Sequence, residues 1–295
     1  MTELLQTLLS MSVFTFTVSS MLAVGLGYTL QEIVEPLREP TAVLRALVAN
    51  FVLVPLLAVL ITRALPLQPG LEIGVILLGC AAGAPFLIKL TKTARGDIAR
   101  SATLLVLLVP VTVVFMPFVV PRLAEGANVS TGAIAVQLAS TLILPAVLGL
   151  VLKAKVPRWA DRARPIMGIV STIALVALFV ATLALNVSAI LALGFLAFVA
   201  AVGLLAGAFA AGYLLARPGH GRRTVLGLGT AQRGIAPATL VASQDIADRD
   251  ALVMVVLTSV LGMIVLFPLA HRLRKPSASE EETFSDEHLA SYGRP

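Results

Sequence analysis

Charge is scarce in this chain. Only 13% of its 295 residues are Asp, Glu, Lys or Arg, where a soluble domain carries about 25%. Cysteine is scarcer still: Cys80 is the only one, which excludes an internal disulfide and a thiolate metal cluster. His220, His271 and His288 are scattered, and no two of them have metal-ligand spacing. Carboxylates are missing from the apolar runs, apart from Glu72 near one end. An enzyme would need clustered carboxylates, a histidine–metal set or an activated nucleophile, and the runs supply none of these. The N-terminal Met-Thr-Glu-Leu-Leu-Gln lacks the basic region of a secretory leader. The apolar run after it is also too long for one, so it reads as a retained first helix.

What is abundant is apolar. Hydrophobic residues make up 58% of the chain, and runs of roughly 20 of them fit the thickness of a bilayer. The expectation is an all-α polytopic membrane protein. About nine spans are expected, near 8–29, 44–65, 71–91, 98–120, 133–152, 166–185, 190–215, 224–242 and 251–270. The net charge of +6 resides between these spans, so it implies a lipid bilayer and not nucleic acid as partner. Arg45, Lys92, Arg100, Lys153, Arg164, Arg217, Arg222 and Arg272 fall on one side, against Arg63, Arg122 and Arg249 on the other. The positive-inside rule then places the N-terminus outside and the C-terminus in the cytoplasm. The setting expected is a bacterial inner membrane. Residues 1–275 read as one transmembrane transporter domain, and the acidic stretch 276–295 as a disordered cytoplasmic tail.

Two spans are interrupted. The first contains Gly79, Gly83 and Pro85, then Lys89; the second contains Gly227, Gly229, Arg233, Gly234 and Pro237. Glycine weakens a helix and proline removes a backbone donor. Broken backbone at membrane depth survives only where it is covered by protein or lines a cavity. Two such breaks in corresponding places point to a transporter binding site. Each is followed by Asp-Ile-Ala (Asp97 onward and Asp245 onward) and then an apolar helix ending near proline, the pattern of an inverted repeat.

Arg233 is the hardest residue to place. A guanidinium at mid-membrane costs at least about 2.5–3.5 kcal/mol and needs a partner or a wet cavity. No acid within the spans is available to it, which leaves a bound anion or the carbonyls freed by the breaks. Lys89 has two readings, contact with an anionic substrate or a reach toward the interface. Thr230 and Gln232 sit at the second break. Asn50, Ser101 and Gln137 are polar groups in spans that often only tie helices together. The substrate-binding set expected is therefore Arg233, Gln232, Thr230, Lys89, Pro85 and Gly83.

The segments Ala49-Asn-Phe-Val-Leu-Val-Pro55, Gly74-Val-Ile-Leu-Leu-Gly-Cys80, Ala94-Arg-Gly-Asp-Ile-Ala-Arg-Ser101 and Thr230-Ala-Gln232 resemble the bile acid:sodium symporter family. The resemblance implies two broken helices crossing near the membrane centre. It implies a core formed by 71–120 and 224–270, and a panel formed by 8–65 and 133–215. It also implies sodium ligands, and Asn50, Ser101 and Gln232 match such positions. At other ligand positions of the family this chain has Leu87, Ile88, Leu105 and Leu228, which offer no oxygen. Sodium as a cofactor is therefore doubtful, and no other cofactor or metal is expected. The reading is a secondary transporter of a small organic anion, sodium-independent, with Arg233 and Lys89 supplying fixed positive charge. Three alternatives stay open: a sodium- or proton-coupled symporter of bile acids or other organic anions, an auxin- or arsenite-efflux-like carrier, and a channel or receptor.

Overall fold

The structure is a computed structural model and describes residues 2–34, 38–123, 131–192, 194–242, 246 and 248–274. The tail expected at 276–295 and most of the second Asp-Ile-Ala segment lie outside the described residues. No strand occurs among them.

Seven helices are long and apolar enough to cross a membrane: Ser10–Gly27, Pro40–Ala64, Ile98–Leu123, Ile134–Lys155, Pro157–Ala181, Phe195–Leu215 and Arg249–Arg272. The first lies within α1 (Thr2–Gly27), which the short α2 (Leu30–Val34) follows. The second is α3 (Pro40–Val48) joined to α4 (Val54–Ala64) through a π-helical turn at Ala49–Leu53. That turn lies just before Pro55, whose missing N–H breaks the regular ladder. The same device recurs where Ala139–Ile143 joins α8 (Thr131–Leu138) to α9 (Leu144–Lys155), just ahead of Pro145.

The two interrupted segments are each two short helices with extended backbone between. The first is α5 (Pro69–Cys80) and α6 (Leu87–Thr93), leading into α7 (Ile98–Leu123). Past α10 (Pro157–Ala192) and α11 (Phe195–Leu215), the second is α12 (His220–Ala231) and α13 (Ile235–Leu240), leading into α14 (Arg249–Arg272). Gly83 has φ of +81°, a left-handed conformation that favours glycine, and this is what turns the first break.

The two segments run in opposite directions. A Cβ added to Gly70, at the start of α5, would lie 2.6 Å from Asp248 Oδ1, at the start of α14. Gly96, just past α6, lies beside Val225 near the start of α12. So α5 begins where the chain arrives after α13, and α6 ends where α12 begins.

Packing divides the remaining helices. α1, α9 and α10 pack on one another, closely enough that Gly25 and Gly149 meet backbone to backbone. The expected panel therefore separates in its packing: α4 and α11 lie against α5, α12 and α14, with the broken helices. The exposed Ile169, Ile173, Val176 and Val180 recur at helical spacing on α10, an apolar stripe suited to lipid. α10 starts earlier than the apolar run at 166. Its first turns carry the exposed Arg158, Trp159, Arg162 and Arg164, which suit an interface.

Candidate functional site

The two breaks touch. The amide of Gly234 donates to the carbonyl of Ala81 at 2.9 Å, so the extended backbone of one break is capped by that of the other. Thr112 of α7 braces the same place: its hydroxyl donates to the Ala82 carbonyl at 2.9 Å and accepts from the Ala82 amide at 3.2 Å. These bonds satisfy groups that the missing helical turns would otherwise leave bare.

Arg233 sits in this crossing, 3% exposed. Its Nε donates to the Leu78 carbonyl at 2.8 Å, and Nη2 donates to the Gly79 carbonyl at 2.7 Å. Nη1 donates to Asn50 Oδ1 at 2.9 Å and to the Thr230 carbonyl at 3.1 Å. Three of these acceptors are carbonyls in the last turns of α5 and α12. The negative ends of two half-helices thus converge on one guanidinium, which offsets the cost of burying it. The bonds run to the protein, so the carbonyls freed by the breaks are the partner the sequence left open.

Asn50 is fully buried in the π-helical turn. Its Nδ2 donates to Ala46 O at 3.0 Å and to Thr230 Oγ1 at 3.3 Å. Arg233, Asn50 and Thr230 therefore form one cluster. Gln232 closes α12 and lines a small cavity of about 20 Å³ with Gly83, Pro85 and Pro237. Ser101 is elsewhere: its hydroxyl bonds to Thr91 Oγ1 at 2.7 Å and to the Asp97 carbonyl at 3.1 Å. Leu87, Leu105 and Leu228 are buried in apolar clusters, and Leu87 packs beside Gly229.

Lys89 is exposed and does not join Arg233. Its Nζ donates to Thr172 Oγ1 of α10 at 2.8 Å and lies 6.0 Å from the centre of the Phe86 ring. Lys89 and Pro85 line a cavity of about 320 Å³ between α1, the first break and α10. Arg164, Tyr28, Ser20 and Ser171 line it too, and among the described residues no carboxylate does. Arg164 stacks over the Tyr28 ring at 5.2 Å. The Tyr28 hydroxyl is buried beside this guanidinium. Lys89 and Arg164 place two cations on its lining.

The residues missed in the sequence were Thr112, Tyr28, Arg164 and Thr172. Thr112 had a signal, a hydroxyl in the helix after a break, two residues past Pro110. Arg164 read only as one more charge on the basic side.

A match to the Sodium Bile acid symporter family spans residues 15–193. The chain belongs to the sodium bile acid symporter family. Among curated relatives, an uncharacterized sodium-dependent transporter of Bacillus subtilis is 28% identical over 59% of this chain and 55% of its own length. A probable sodium/metabolite cotransporter of Arabidopsis thaliana chloroplasts is 28% identical over 82% of this chain and 59% of its own length. The chain thus spans less than two thirds of the length of either relative.

Proposed function

We propose that this symporter-family chain is a secondary transporter of a small organic anion, in which Arg233 occupies the place of a bound metal cation. The observation that carries this is the guanidinium held by four oxygens at the crossing of two broken helices. Sodium needs several hard oxygen donors, and here the oxygens are already engaged by a tethered cation. The aliphatic Leu87, Leu105 and Leu228 supply no others. Transport is then independent of sodium.

The anion enters the cavity between α1, α10 and the first break, where Lys89 and Arg164 meet its charge. Arg233 and Thr230 act by fixing the crossing, and Gln232 and Gly83 form the wall behind Pro85. Each broken pair counts as one crossing in this reading, which gives nine spans. The half-helices, 12 residues in α5 and in α12, then 7 in α6 and 6 in α13, are what an inverted repeat would produce. Alternating access is the movement of α1, α9 and α10 against the crossing. The membrane orientation follows the basic side, with the C-terminus in the cytoplasm.

Proteoliposome uptake of a panel of labelled carboxylates and sulfonates tests this. Equal uptake under sodium and potassium gradients is expected for the accepted anion. Uptake that requires sodium would overturn the assignment of Arg233.

A further inference from the structure

A groove of about 360 Å³ opens on the basic side, separate from the cavity above. It is walled by α3, the start of α7, the residues after α11 and the start of α12, and no residue of α1, α9 or α10 lines it. Arg45, Arg100, Arg217 and Arg222 share its lining. Asp97 holds Arg100 at 2.8 Å, and Glu39 lies 3.8 Å from Arg217. Arg45 and Arg222 have no carboxylate partner among the described residues, so the groove keeps two positive charges in excess.

The rest of the lining is apolar, with Leu104, Leu107 and Val225 beneath the arginines. Leu44 beside Arg45 is 61% exposed, and Leu214 near the end of α11 is 77% exposed. Both are large side chains suited to hydrocarbon, on or beside the segments that wall the groove. A guanidinium grips phosphate through a fork of N–H donors, and basic pockets between transmembrane helices bind anionic lipid head groups.

We propose that this groove binds the phosphate of an anionic phospholipid, with Arg45 and Arg222 as its ligands and the acyl chains passing Leu44 and Leu214. The apolar lining favours a lipid over free phosphate, which would gain from the charges alone.

Native mass spectrometry of the full chain in detergent tests the proposal, with phosphatidylglycerol, phosphatidylcholine of the same acyl chains, and inorganic phosphate as probes. One phosphatidylglycerol should bind saturably, and phosphatidylcholine should bind far more weakly. Arg45→Gln with Arg222→Gln should weaken phosphatidylglycerol about thirtyfold, for two lost charge contacts. Arg158→Gln with Arg162→Gln removes the same charge from α10 and should change binding by no more than about twofold. Equal losses in the two pairs would overturn the site in favour of a diffuse field. Inorganic phosphate displacing the lipid at equal concentration would overturn the lipid in favour of a soluble ligand. If the first pair fails to fold, the unaltered chain decides: equal retention of the two lipids sinks the proposal.

Discussion

Arg233 and Thr112 are the two side chains that let unwound backbone exist at the crossing. Thr112→Val keeps the shape and removes both bonds to Ala82. It should cost about 1–3 kcal/mol, because a buried amide and carbonyl are left bare. Thr112→Ser should recover most of that loss, and melting in detergent reads both. Arg233→Ala leaves the oxygens of Leu78, Gly79, Thr230 and Asn50 around an empty space. The variant should melt lower, because four buried oxygens lose their donors. Lys89→Gln and Arg164→Gln should each raise the anion concentration for half-maximal uptake by about three- to tenfold, without lowering the melting temperature. The sequence made Arg233 conspicuous because a lone cation in an apolar run demands a partner. It could not choose between an anion and carbonyls, since carbonyl positions depend on where each helix stops. Lys89 was visible for the same reason, but its partner Thr172 lies on a helix 83 residues away.

At the scale of elements, the breaks were legible in the residues themselves, and their crossing only through the family resemblance. Glycine and proline mark where a helix fails, and both interrupted segments lie where those residues cluster. The bond from Gly234 to Ala81 joins residues far apart in the chain, and no local pattern records it. Gly83→Ala should be destabilising by about 1–2 kcal/mol, the cost of a side chain in the left-handed region. The added methyl also lies 3.0 Å from Val109 Cγ2, so α7 must give way. The contact of α1 with α9 is a second test. A Cβ on Gly149 would lie 2.7 Å from the Leu22 carbonyl. Gly149→Leu should therefore force the two helices apart and lower the melting temperature more than Gly168→Leu, where an added Cβ meets nothing within 4 Å.

For the whole molecule, the family and the membrane class were visible in composition and in short motifs. The grouping of helices was less so, because apolar spans resemble one another. Positions 40–64 read as part of the panel, yet α4 packs on α5. What decides the grouping is small residues and close backbone approach, which apolar content does not reveal. In the proposed alternating access α10 moves against α6, and Lys89 bonds to Thr172 across that boundary. Lys89→Cys with Thr172→Cys, joined through two mixed disulfides by a short bis-methanethiosulfonate, should stop uptake, and reduction of those disulfides should restore the uptake seen before cross-linking. The fully buried Cys80 should not compete for the reagent.

The most direct measurement is the melting curve of the unaltered protein in sodium chloride and in potassium chloride at matched ionic strength. An ion that binds only the folded state raises the melting temperature, by an amount that grows with the logarithm of its concentration above Kd. With Arg233 filling the crossing, the two curves should superimpose. A sodium-specific rise of several degrees would show that the folded protein binds sodium and contradict the role given to Arg233.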